Sequence, residues 1–226
     1  MKKLFLIPML IISLFTLSPL ASASTFFSDV SSNHYAFEAI KWAKQVELVG
    51  GYENGTFKPN QKISEQQFAR MLVTYFDLDE ATPEHELSKN TPTEKASDIV
   101  YNTLATYGVP LNGYFDNRIR GDYITRGVVA QALGYVVDGQ TTLDGSITFL
   151  LDGYISTGQN PKYEDYDVVK YFGAENTLTR AQAVSLFHRL SQKSYFYISD
   201  IAQSTVENNK KKTVMTRASE ARQLIH

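Results

Sequence analysis

Three stretches of the chain repeat one pattern of apolar positions in the same register. After Ser64 the apolar residues are Phe68, Met71, Leu72 and Tyr75. After Thr125 they are Val129, Ala132, Leu133 and Val136, and after Thr179 they are Ala183, Leu186, Phe187 and Leu190. Each set begins four residues beyond a Ser or Thr and is spaced i, i+3, i+4, i+7, which lays one apolar stripe along a helix. The hydroxyl can accept from an unpaired amide of the first turn, so each helix is predicted to start at its cap. Ser64 with Gln67, and Thr179 with Gln182, complete a capping box, whereas Thr125 has Val128 at that place.

A second helical stretch precedes each capped one. Tyr35, Ala39, Trp42 and Val46 share a face, as do Ala96, Val100 and Leu104; Ser146 to Leu151 has length for about two turns. Turn-rich links join the pairs: Gly50-Gly51 and Asn54-Gly55, then Gly108 and Gly113, then Gly153 and Gly158. The third link is the longest and carries an inserted loop around Asn160-Pro161-Lys162-Tyr163-Glu164-Asp165-Tyr166. The predicted fold is mainly α: three helix–loop–helix repeats at about 26–78, 92–138 and 142–192, with the capped helices as a central bundle about a pseudo-threefold axis. Residues 193–226 form a tail. Glu207 to Lys212 reads as an exposed break, and Val214, Ala218, Ala221, Leu224 and Ile225 lie on one face of a further helix. That helix docks on the module, meets a partner or touches anionic wall polymers; a frayed, solvated helix is the preferred expectation.

The N-terminus sets the compartment. Met1-Lys2-Lys3, the apolar run Leu4 to Leu17 and Ala21-Ser22-Ala23 have the layout of a secretory signal cleaved after Ala23. The run is short for a membrane span, which needs about 20 residues. The chain has no Cys, so it carries neither a disulfide framework nor a lipid anchor on cysteine. Export without Cys suits a Gram-positive envelope. The formal charge is −2, and about −4 once Lys2 and Lys3 leave with the signal. A nucleic-acid partner would call for a basic chain, so none is expected.

Phe27-Ser28-Asp29-Val30, Trp42-Ala43, Gly51-Tyr52-Glu53-Asn54-Gly55-Thr56-Phe57-Lys58-Pro59-Asn60 and the helix capped by Ser64 follow one another in an order that resembles the S-layer homology repeat. The later repeats match mainly through Ile124-Thr125-Arg126 and Leu178-Thr179-Arg180 with their helices, and lack the full Gly-x-Phe-x-Pro turn. The resemblance covers about residues 26 to 192. It implies a module that docks surface proteins on secondary wall polysaccharides, often bearing a pyruvate ketal, in grooves between neighbouring repeats. The Arg of the Thr-Arg motif would contact the anion there. Carried onto this chain, the ligand-binding candidates are Arg126, Arg180, Thr125, Thr179, Trp42, Asp29 and Gly51.

The Thr-Arg pair has its own physical logic. A cation at the first helical position opposes the helix dipole, so local stability would prefer Asp or Glu. A helix N-terminus with free amides favours an anion, and a guanidinium beside it can grip a carboxylate with two parallel hydrogen bonds. The competing use is a structural salt bridge to a neighbouring repeat. Glu65 holds the motif position in the first repeat and repels a carboxylate, so at most two grooves are expected to work. Trp42 stacks on a sugar or belongs to the core; Asp29 meets a hydroxyl or caps the approach to the first helix; Gly51 and Gly55 serve tight turns. Lys58 adds charge at a groove edge or is simply solvated.

Signatures of enzymes are absent: no Cys nucleophile, no His-Glu-x-x-His, no Gly-x-Ser-x-Gly and no phosphate-binding glycine loop. No metal or cofactor is expected. Two alternatives stay beside wall-glycan binding. One is an envelope scaffold for another protein that kept the fold and lost the glycan; the other is a wall-modifying enzyme.

Overall fold

The computed structural model describes residues 26–78 and 93–209. The signal and the apolar face from Val214 to Ile225 lie outside them. The described residues are mainly α-helical and contain no β-strand. The helices are α1 (Phe37–Gln45), α2 (Glu65–Tyr75), α3 (Thr93–Thr106), α4 (Arg126–Asp138), α5 (Leu143–Asp152), α6 (Val168–Phe172), α7 (Arg180–Gln192) and α8 (200–209).

The three caps form as the sequence requires. Ser64 and Thr179 close full capping boxes, and Thr125 accepts from Val128 N–H without the reciprocal bond. Each cap is worth about 1 kcal/mol. The three stripes face inward: all twelve positions but the half-buried Tyr75 are buried, and Phe68 meets Phe187 with ring centroids 5.7 Å apart. Burying a side chain of this size contributes roughly 1.5–3 kcal/mol, so these stripes dominate the core.

The segments entering α2, α4 and α7 are tied together by a closed ring of backbone hydrogen bonds. Ile63 N–H donates to Leu178 O at 3.0 Å, Leu178 N–H to Ile124 O at 3.3 Å, and Ile124 N–H to Ile63 O at 3.1 Å. The first amide of each capped helix also reaches a neighbour: Glu65 N–H donates to Asp122 O, Arg126 N–H to Asn176 O and Arg180 N–H to Gln61 O. These acceptors occupy equivalent places, three residues before their own caps. Amides that an isolated helix would leave unpaired are thereby satisfied between repeats. Helix packing follows the same order, with α2 on α3, α4 on α5 and α7 on α1.

Three expectations are corrected. The buried face of α1 is Ala36, Ala39, Ile40 and Ala43, while Tyr35 and Val46 are exposed; the helix is turned about one position from the face read in the sequence. α5 starts earlier than expected, because Thr142 caps it by accepting from Gly145 N–H, and it runs for ten residues. In the tail, α8 includes Glu207 to Asn209, where the expected break was to begin. It packs on the second repeat through buried Ala202 and Val206, and Thr205 Oγ1 lies 3.2 Å from Tyr135 Oη.

Candidate functional site

The first helical residue of each capped helix sends its side chain into the neighbouring repeat. Arg180 of α7 reaches the first repeat, where Nε donates to Phe57 O at 2.8 Å and Nη2 to Gly50 O at 3.3 Å. Arg126 of α4 does the same in the third repeat. Its Nε donates to Phe172 O at 3.0 Å and its Nη2 to Thr157 O at 2.7 Å, with Ser156 Oγ at 3.2 Å. Each guanidinium lies over the ring of the Phe whose carbonyl it holds, at 4.6 Å for Phe57 and 4.2 Å for Phe172. Among the described residues neither Arg forms an ion pair. Both are held by neutral acceptors, which orient the group without supplying an ion-pair partner. Burial therefore lowers both from the ordinary arginine value, Arg126 to about 10. Tyr52 and then Asp29 partly oppose that drop at Arg180.

The two clefts align residue by residue. Tyr52 N–H donates to Thr56 O in one, and Gln159 N–H to Tyr171 O in the other, so Gly51 matches Gly158 and Phe57 matches Phe172. Four positions separate Tyr52 from Thr56, and twelve separate Gln159 from Tyr171. The third repeat thus carries eight extra residues in this loop, which include the anticipated insertion. Lys58 and Gly173 also coincide. Both follow the Phe and both adopt the left-handed backbone, at φ 58° and 71°. Glycine is strain-free there and lysine is not, so the first repeat places a side chain where the backbone would favour none.

That side chain changes the cleft between the third and first repeats. Lys58 Nζ stands 4.0 Å over the Tyr52 ring, and the Arg180 guanidinium stands 5.2 Å from the same ring. Two cations thus flank one aromatic ring. Asp29 supports the turn from below: its two carboxylate oxygens accept from Phe57 and Lys58 N–H, each at 2.7 Å. Gly51 is needed because a Cβ would run into the Phe27 ring, which is buried. Thr179 is spent on its cap, as is Thr125 in the other cleft.

The cleft between the second and third repeats is different. Arg126 is only 6 % exposed. Its partners Ser156 and Thr157 line a cavity of about 400 Å³ with Tyr154, Tyr171, Asp152 and Glu164. Tyr171 donates to Glu164 at 3.1 Å across the inserted loop.

The third junction is filled by the protein itself. Glu65 is 5 % exposed and accepts from Gly113 N–H at 2.6 Å and Tyr101 Oη at 3.0 Å. The cation comes from the other side, where Arg120 Nε donates to Gly113 O at 2.7 Å and the guanidinium lies 4.2 Å over Tyr101. Arg120 also pairs with Asp98. The sign of the first helical residue is reversed relative to the other two junctions, and a cation enters from the neighbouring repeat instead.

Arg180, Thr179, Asp29 and Gly51 come together in one cleft with Lys58 and Tyr52, while Arg126 and Thr125 stand in the other. Trp42 joins neither. Its ring lies 5.2 Å from His188, eight residues further along α7 than Arg180, or roughly 12 Å at the helical rise. Neither the periodicity nor the motifs of the sequence mark the role of Arg120. Its only trace there is an Arg five residues before Thr125 where the other repeats have Pro59 and Ala174.

Comparison with known proteins matches residues 26–69 to the S-layer homology domain. Two similar proteins come from Acetivibrio thermocellus. Cell surface glycoprotein 1 is 38 % identical over 55 residues, which is 24 % of this chain and 2 % of that protein. The cellulosome-anchoring protein is 41 % identical over 54 residues, 24 % of this chain and 12 % of that protein.

Proposed function

We propose, from the premise that this chain carries an S-layer homology domain over residues 26–69, that it is a cell-envelope protein holding cell-wall polysaccharide without covalent bonds. The names of its two similar proteins, one of the cell surface and one anchoring a cellulosome, support a place at the cell surface and a binding role. The ring of hydrogen bonds among the three cap segments supports a module of three repeats about a pseudo-threefold axis, of which the matched segment is the first.

The observation that carries the proposal is the cation pair over Tyr52. Arg180 and Lys58 lie beside one aromatic ring and neither is neutralised by an ion pair among the described residues. A flat ring suits the apolar face of a sugar, and the two cations suit a carboxylate on it. The preferred ligand is therefore an acidic wall polysaccharide, with a pyruvate ketal as the carboxylate donor. Arg180, Lys58 and Tyr52 make the direct contacts, Asp29 and Gly51 hold the turn, and Thr179 sets the helix end. The Arg126 cleft is a second, weaker subsite, because its guanidinium is more deeply covered. The cleft at Glu65 does not bind.

Co-sedimentation of the mature protein with purified wall polymer, with and without its ketal carboxylates, tests this. Arg180→Gln with Lys58→Ala is expected to lower affinity about tenfold to a hundredfold while the melting temperature holds within a few degrees. Undiminished sedimentation of that folded variant, or equal binding to the polymer stripped of carboxylates, overturns the assignment.

A further inference from the structure

The only Trp of the chain lies in a second cavity, far along α7 from the cation pair. Its volume is about 570 Å³, and its walls come from α1, α2, α7 and the segment after α7. Trp42 and Tyr75 form two walls with centroids 6.3 Å apart at 63°. Phe196 stacks on Tyr75 at 28°, and His188 closes the side next to Trp42. Tyr75 Oη is committed to Tyr195 O, which fixes the ring's orientation.

Two properties identify what fits. First, the lining holds no Asp, Glu, Lys or Arg, so nothing there compensates a charged ligand. Second, the apolar walls carry a polar rim. Thr74, Gln192 and His188 line the cavity, and among the described residues their side chains make no hydrogen bond, so donors and acceptors stand ready beside the rings. Aromatic faces with unspent amide, hydroxyl and imidazole groups suit a pyranose ring, whose C–H face is apolar and whose edge is polar. Val46 and Leu48 add an aliphatic corner that suits an acetamide methyl, with the Gln192 amide able to pair the acetamide itself.

We infer that the Trp42 cavity is a second carbohydrate site, which takes an uncharged N-acetylhexosamine unit. It is independent of the acidic-glycan cleft in chemistry and in place. The seam between α1 and α7 joins them, with Gly50 against Arg180 at one end and Trp42 against His188 at the other. A polymer carrying both acidic and neutral units could engage both ends.

Because Trp42 is the sole Trp, its emission reports on this cavity alone. Titration with tri-N-acetylchitotriose is expected to shift or quench that emission in a saturable way, at millimolar ligand. Gln192→Ala and His188→Ala, both at the rim, are expected to weaken the response about threefold to tenfold each, while Arg118→Ala, at an exposed residue outside both sites, leaves it unchanged. No saturable change up to tens of millimolar trisaccharide, with the protein folded by circular dichroism, overturns the inference. So does a response that survives the double rim variant at full strength. Neither result touches the sedimentation assay at Arg180, so the two assignments fail separately.

Discussion

Asp29 and Arg180 hold the backbone of residue 57 from opposite sides. The Asp29 carboxylate accepts the Phe57 amide at 2.7 Å, and the Arg180 Nε donates to the Phe57 carbonyl at 2.8 Å. One residue belongs to the first repeat and the other to the third, so the turn carrying Lys58 is fixed by both. The candidate site is thus a property of the assembled module, and the isolated first repeat lacks its main cation.

Removing Asp29 tests how far the turn depends on that grip. Asp29→Ala strands two amides that now meet a charged acceptor, at a cost of roughly 2–4 kcal/mol. For a chain of this size the melting temperature falls by roughly 5–15 °C, measured by calorimetry. Asp29→Asn keeps one acceptor and recovers about half of the loss. A melting temperature within a degree of wild type for Asp29→Ala would mean that the turn is set by other contacts.

Glu65 gives the second prediction. Restoring a cation with Glu65→Arg, as in the other two repeats, is expected to destabilise the protein by several kcal/mol. The carboxylate accepts from Gly113 N–H and Tyr101 Oη in a covered site, and its loss leaves both donors unpaired. The new guanidinium would also meet Arg120, already stacked on Tyr101. Chemical denaturation of Glu65→Arg, and of Glu65→Arg with Arg120→Glu, separates the two costs. The pair exchange should recover part of the loss, and a neutral or stabilising single variant would show that the charges at this junction are not coupled.

Much of this architecture is written in the periodicity. Twelve positions, four in each of three repeats of one register, give the inward stripes, because a helix face needs only local spacing and a cap, and both are local in sequence. Thr125 reads correctly as the weaker cap from the single absence of a Gln at Val128. The short upstream helix α1 misled by one position because Trp42 and Tyr35 are large and apolar and draw the face toward themselves. The small residues Ala36, Ala39 and Ala43 are what allow α1 to approach closely enough to be buried. The cation pair, by contrast, depends on a partner from another repeat more than a hundred residues away. A strained Lys at a glycine-like position also leaves no mark in a single sequence. Trp42 was legible as an aromatic of consequence, while its separation from Arg180 depends on the antiparallel seam of α1 and α7.

His188 supplies the last prediction, a pH response confined to the Trp42 cavity. Burial lowers its pKa below the ordinary imidazole value of 6.5; the Glu38 charge opposes part of that drop, and the Arg189 charge adds a smaller push in the same direction as burial. In the window just below 6.5 the unfolded chain takes up a proton that the folded chain resists. The contribution of this group to stability is therefore complete above pH 6.5 and is lost as the pH falls through the lowered folded value. Because the imidazole ring is 5.2 Å from Trp42, its protonated form is also expected to quench the indole. Trp42 emission should stay level above pH 7 and drop on acidification with a midpoint below 6.5, before the global unfolding seen by circular dichroism. In His188→Gln the drop should vanish while the acid unfolding remains, and neutral-sugar binding in the wild type should weaken across the same window. A midpoint above 6.5, or an unchanged profile in His188→Gln, would place the titrating group elsewhere.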